Sequence, residues 1–344
     1  MAYFGFARSA AAIVAAITLP WVSQSANAAA EFNWKMHSAF SDTRPETKFA
    51  KQLAEDIGKA TGGRLNIEVY PGGSLGVKDA DTLRWLPAGN AVQMTWLFPE
   101  YMGRDLPAYA NILPVGVLNS VDKLPGIASA LREIENKTYD EWGIKMLAWG
   151  HIPLKEMQII CKEPVNTLDQ LKSKKVRVFA KFHVDVFKSL GIAAQVIPQS
   201  DLYVALQTGV VDCAFYPLAY AADASLHEVA PYASYIGTDI PAPANILVSA
   251  KAWNRLPDDL KAIVQKEADK TEQKTWEYLQ AGQYDKEGAA KYVAGKGKIL
   301  DPFPQADQDR FVQACLEVWE QVSKDGGADA QANYKKVKAA LDSQ

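Results

Sequence analysis

Residues 32–40, FNWKMHSAF, begin with alternating apolar and polar positions, predicting a first strand that runs out into a loop. Pro45 then stands in a first helical turn, and Phe49, Leu53 and Ile57 recur on one face of a helix stopped by Thr61-Gly62-Gly63. Residues 65–70 alternate again, ahead of the turn Pro71-Gly72-Gly73. Strand, helix and strand in this order build an α/β layer, and they predict a largely parallel sheet. Residues 79–87 read as helical, and short apolar strands are expected at 91–97, 144–149, 176–179, 194–198, 210–215 and 246–249. A helix over 184–190 separates two of them. Another is opened by Gln199-Ser200-Asp201, packs through Leu202, Ala205 and Leu206, and stops at Gly209 in a left-handed conformation. Asp201 reads there as a cap.

From 257 to about 294 the pattern changes. Leu260, Ile263, Val264, Ala268, Trp276 and Leu279 fall near helical spacing, with Gly282 and Gly288 placed to bend or divide the run. At about 1.5 Å per residue a continuous helix would be roughly 55 Å long, more than one small domain, which predicts a strut across two lobes. In the final helix Phe311, Val312, Cys315, Leu316 and Trp319 make an apolar stripe, so Cys315 reads as a small buried hydrophobe.

The ends and the composition add a compartment. Residues 1–28 carry one basic residue, Arg8, then an apolar run, then Ala26 and Ala28 at the spacing of a cleaved export signal. Free export, with no retained membrane span, is therefore expected. The chain is 48% hydrophobic and 22% charged with a formal net charge of −3, a globular composition without the positive field used to bind nucleic acid. Cys161, Cys213 and Cys315 have no metal-ligand spacing; a Cys161–Cys213 disulfide stays open, since sequence separation does not fix Cα geometry.

Catalytic signatures are absent: there is no GxSxG, HExxH, GxGxxG or Walker loop, and His37, His151, His183 and His227 are dispersed. The expectation is a binding protein with no cofactor and no metal, not an enzyme. The most informative position is Arg177 in KKVRVFA, on the strand face opposite Val176 and Val178. A buried arginine needs a partner, and its planar fork suits a carboxylate. From the residues alone, that partner is either a bound acid or an internal Asp or Glu, unless the strand lies at an edge and the charge faces water.

LDQLKSKKVRVFA followed by LGIAAQVIPQSDLYVALQTGVVDCAFYP, with TGGRLNIEVYPGGSLG before and SAKAWNRLPDDLKAIVQKEADK after, resembles the DctP-type solute-binding proteins of tripartite ATP-independent periplasmic (TRAP) transporters. The resemblance covers essentially the whole chain after residue 28. It implies an α/β, two-lobed periplasmic binding protein with a long helix spanning both lobes: 29–150 mainly one lobe, 151–240 mainly the other, and 241–344 shared. It also implies a carboxylate ligand clamped by Arg177, small and large TRAP membrane subunits as partners, and a sodium gradient as the driving force. Family members often have glutamate and asparagine where this chain has Phe215 and Tyr216; Tyr216 is expected to face the ligand and Phe215 to pack. That substitution suits a more apolar or aromatic acid; the expected ligand is an organic carboxylate, aromatic or a 2-oxo or 2-hydroxy acid, with a short aliphatic keto or hydroxy acid as the alternative. A ligand sensor for a signalling receptor is the alternative outside transport. The second arginine of sugar-acid binders is not evident in GHIPLKEMQIICKEP, which offers His151 and Lys155 instead. His37, Ser38, Phe40, Trp96 and Phe179 complete the expected lining.

Overall fold

The computed structural model describes residues 1–5, 29–118, 120–240 and 243–343; most of the expected export signal, 6–28, lies outside the described residues. Eleven strands among these residues form two sheets. The first has the order β2 (Leu65–Pro71), β1 (Phe32–Ser38), β3 (Met94–Leu97), β10 (Ala244–Ser249) and β4 (Ile144–Gly150). The second runs β11 (Lys298–Ile299), β9 (Tyr232–Asp239), β5 (Glu156–Cys161), β8 (Cys213–Tyr216), β6 (Lys175–Val178) and β7 (Ala193–Val196). β3, β8 and β10 are buried along their whole length, which is why they read as continuous apolar runs without alternation.

The sheets are mixed, correcting the largely parallel expectation. β1 pairs in parallel with β2 and β3, and β6 with β7 and β8. β10, however, lies antiparallel between β3 and β4, and β5 antiparallel between β8 and β9. The physical cause is the chain's route. It leaves the first sheet after β4 to enter the second as β5, and returns from β9 to the first as β10. Each crossing strand arrives with the opposite sense to its new neighbours. The disulfide left open by the sequence is formed: Cys161 and Cys213 face each other across β5 and β8.

The long helical run divides at Gly282, whose φ of 59° is left-handed and which carries no Cβ to oppose it. The helix Asp258–Ala281 packs on β4 and on the first helix, Pro45–Ala60, whereas Gln283–Ala294 packs on Leu218–Asp223. Gly288 does not break the second piece. A Cβ there would come within 2.3 Å of the Ala219 side chain, so glycine allows the two helices to touch. This run thus extends from elements of the first sheet to elements of the second.

A buried polar chain ties the helix Leu124–Glu141 to β4 and β10. Tyr109 Oη donates to Tyr139 Oη at 2.8 Å, Tyr139 Oη to Asn245 Oδ1 at 2.8 Å, and Asn245 Nδ2 to Glu135 Oε1 at 3.1 Å. The other Glu135 oxygen accepts from Trp149 Nε1 at 2.6 Å. Burial nevertheless pushes the Glu135 carboxyl up to about 7. A folded-state value above the unfolded one makes stability fall as pH rises through that interval, by up to about 3 kcal/mol. Glu135→Gln removes the titration while losing one acceptor. Its melting temperature should therefore gain on the parent steadily from about pH 5 to about pH 8 in thermal unfolding; a constant difference would contradict this account.

Candidate functional site

The C-terminal ends of parallel strands are where α/β layers place their ligands, because chain reversals there leave backbone and side chains free to face a crevice. Arg177 lies on β6 and Tyr216 ends β8, and both are buried. The guanidinium carbon of Arg177 stands 5.3 Å from the centre of the Tyr216 ring. Arg177 Nε donates to the Ile197 carbonyl at 2.8 Å, which fixes the plane of the fork. Among the described residues no carboxylate pairs with it, and Nη1 is buried without a hydrogen-bond partner. The Tyr216 hydroxyl is likewise buried and unpartnered, and burial pushes its pKa up to about 12, so it stays protonated. An arginine N–H and a phenol, both lacking partners, together fit one carboxylate. The internal Asp or Glu partner and the solvent-facing edge charge that the sequence left open are not what this arginine has.

The rest of the cluster follows strands of both sheets and, Phe40 apart, was missed by sequence reasoning. Tyr216 neighbours Tyr220, ring centres 6.0 Å apart, and Arg44 lies over Tyr220 with its guanidinium carbon 3.6 Å from the ring centre. Arg44 also covers Phe40 at 4.5 Å; Phe40 meets Phe98 edge-on, and Phe98 meets Tyr101. Arg44 pairs with Glu46, and its Nη1 donates to Gln199 Oε1 at 3.3 Å. The Tyr220 hydroxyl also donates to Glu46. Arg44 and Glu46 follow β1, whereas Gln199 follows β7 and Tyr220 follows β8, so these contacts join the two halves. One signal was available. Arg44 occupies the position before the first helix and makes no capping bond there, and a cation is unfavourable at a helix N-terminus. Its role had to be elsewhere.

The other expected lining residues divide. Phe40 is in the cluster. Phe179 stacks parallel to Phe215, 6.3 Å between centres, and touches His183, which burial holds down to about 4 and therefore neutral. Phe215 itself is fully buried against Phe187 and Phe311. Ser38 holds the loop after β1, its hydroxyl 2.9 Å from that of Thr47. His37 pairs with Asp79 at 2.7 Å and meets the edge of Trp85. The Trp96 indole is packed on Gly150, where a Cβ would land 2.0 Å from the ring; its Nε1 is buried and unpartnered. Lys155 is placed among Glu156, Asp239 and Asp285, and its backbone N–H donates to Asp285. His151 lines a separate open groove of about 510 Å³ with Arg132, Trp149 and Trp276. Arg132 in that groove is already paired with Glu272, so the unsatisfied binding capacity lies at Arg177 and not there. Asp201 precedes its helix but makes no capping hydrogen bond, which corrects the reading of it as a cap; its side chain accepts from Ser200 instead.

Comparison with known proteins gives this geometry a family. A solute-binding protein of Sulfitobacter sp. (strain NAS-14.1) is 28% identical over 242 residues, covering 70% of this chain and 72% of that one. The monocarboxylate 2-oxoacid-binding periplasmic protein of Nostoc sp. (strain PCC 7120) is 25% identical over 301 residues, 85% of this chain and 80% of its own. Among solved structures, the Bordetella pertussis extracytoplasmic solute receptor binding pyroglutamic acid superposes with a TM-score of 0.79 at 20% identity, covering 90% of this chain and 99% of that one. The sequence model of DctP, the bacterial extracellular solute-binding proteins of family 7, matches residues 36–325. With two lobes, a helix run across them and a match over most of its length, the chain belongs to that family, the DctP-type solute receptors of TRAP transporters, and is a transport receptor, not an enzyme.

Proposed function

We propose that this receptor works in the periplasm, binds an organic carboxylate between lobes formed mainly by 29–150 and 151–240, and delivers it to a sodium-driven TRAP permease. The observation that carries the reading is the pair of buried, unpartnered groups, Arg177 Nη1 and the Tyr216 hydroxyl, beside an aromatic wall. Leaving such groups unpaired costs free energy that a bound carboxylate recovers through charge-assisted hydrogen bonds. Two relatives carry acids of one carboxylate in their names, a 2-oxoacid binder and a pyroglutamic acid binder, which supports the class without fixing the member. Contacts such as Arg44 to Gln199 then favour the closed population, which is the form a permease can read.

Thermal-shift screening of the purified protein against aromatic, 2-oxo and 2-hydroxy acids tests this directly. An acid present at about a hundredfold its dissociation constant should stabilise the fold by about 2.7 kcal/mol. A panel in which no acid raises the melting temperature would overturn the carboxylate reading. Tyr216→Ala decides the aromatic preference: it should weaken aromatic acids about tenfold more than short aliphatic ones, whereas equal losses would favour the short acid.

A further inference from the structure

Three ionised side chains meet in the cluster: Arg177, Arg44 and Glu46, exposed by 2%, 4% and 0% respectively. Their availability differs. Every nitrogen of the Arg44 fork is engaged inside the protein: Nε and Nη2 donate to the two Glu46 oxygens and Nη1 donates to Gln199. Its charge is cancelled by the same carboxylate, and its flat face is covered by Tyr220 and Phe40. Arg177 has no carboxylate partner among the described residues, and one of its terminal nitrogens is free. Glu100, whose Oε2 is buried without a partner one residue before Tyr101, adds no positive charge.

We infer that Glu46 sets the charge of the ligand: by occupying Arg44 it leaves one cation, Arg177, for the solute, and so selects acids with a single carboxylate over those with two. This rests on the carboxylate reading above and goes further, since two arginines in one buried cluster would otherwise suit a diacid. A second carboxylate would have to enter without a cation of its own and approach Glu46, and an uncompensated buried charge is strongly disfavoured.

Isothermal titration with matched probes tests the inference: 2-oxopentanoate against 2-oxoglutarate, and 4-methylbenzoate against terephthalate, each pair differing by one carboxylate. The parent protein should bind the monoacid of whichever pair it accepts at least about tenfold more tightly. Glu46→Gln releases the Arg44 fork, and should move the ratio toward the diacid by about tenfold or more. Because that variant leaves two buried cations and is expected to be less stable, Arg44→Gln/Glu46→Gln serves as the second variant. It restores the original net charge and should return the ratio to within about threefold of the parent's, whatever its absolute affinity. A structural role for Glu46 alone would weaken both acids of a pair together. Acids that bind with a ratio unchanged in Glu46→Gln, or a parent that prefers the diacid, would overturn this inference alone. Failure of all four acids and of the wider screen would overturn the carboxylate reading with it.

Discussion

Replacing Arg177 by methionine should abolish the ligand-induced rise in melting temperature while leaving the ligand-free protein as stable as the parent, or more so. The first half follows from the loss of a buried cation that has no carboxylate partner among the described residues, and removing one side of a buried charge pair typically weakens binding by a factor on the order of 10² to 10³. The second half follows from the empty protein. There Arg177 is a buried charge with no carboxylate partner among the described residues, held by its Nε bond to the Ile197 carbonyl and its approach to Tyr216. A hydrophobic residue of similar length removes that desolvation cost. Arg177→Lys should also lose more than about tenfold in affinity, because a lysine has neither the fork nor the Nε–H that fixes its plane. A side chain with a purely structural role would behave the other way, lowering the melting temperature and sparing the ligand response. Titration and unfolding of the same two variants separate the cases.

How much of this was readable without coordinates depends on how local the determining interaction is. The C-terminal glycine of the helix Leu202–Thr208 was legible because a left-handed residue is a property of one position, and Gly209 has the expected φ of 76°. The division of the long helix at Gly282 was legible for the same reason. The strand sense was not. β5 was not among the expected strands and β10 carries an ordinary apolar signal, and only their crossing between sheets makes them antiparallel to their neighbours.

The candidate site shows the same limit. Arg177 stood out because a charge between two valines on a buried strand is locally anomalous. Arg44 was locally anomalous too, at the wrong end of a helix dipole, but its partners Gln199 and Tyr220 are more than 150 residues away along the chain. His151 and Lys155 were attractive by sequence distance from the family's second arginine. In three dimensions each answers to nearby residues: His151 to Trp149 and Trp276, Lys155 to the acidic group of Asp239 and Asp285. Proximity in sequence to a motif does not carry a side chain into the motif's site.

The second large effect is expected from the Cys161–Cys213 bridge. It joins adjacent strands in the middle of the second sheet, and the 52-residue separation encloses β6, β7, the helix Leu202–Thr208 and so Arg177 and Gln199. Closing a loop of that size restricts the unfolded chain, a contribution of about 4 kcal/mol in the chain-entropy account. Cys161→Ala/Cys213→Ala should therefore lose about 3–5 kcal/mol in chemical unfolding, a large share of a typical folding free energy. Affinity should change much less, within about threefold at temperatures well below unfolding. The reason is that β6 is held by its own ladders to β7 and β8, which remain when the sulfurs are gone. Thiol counting supplies an independent check. Cys315 is buried on the Gln305–Asp325 helix, so the folded protein should show no reactive thiol, and the unfolded, unreduced protein should show one. Three reactive thiols on unfolding without reductant would mean that the bridge does not form in solution. The stability difference would then have to come from the packing of β5 against β8 alone.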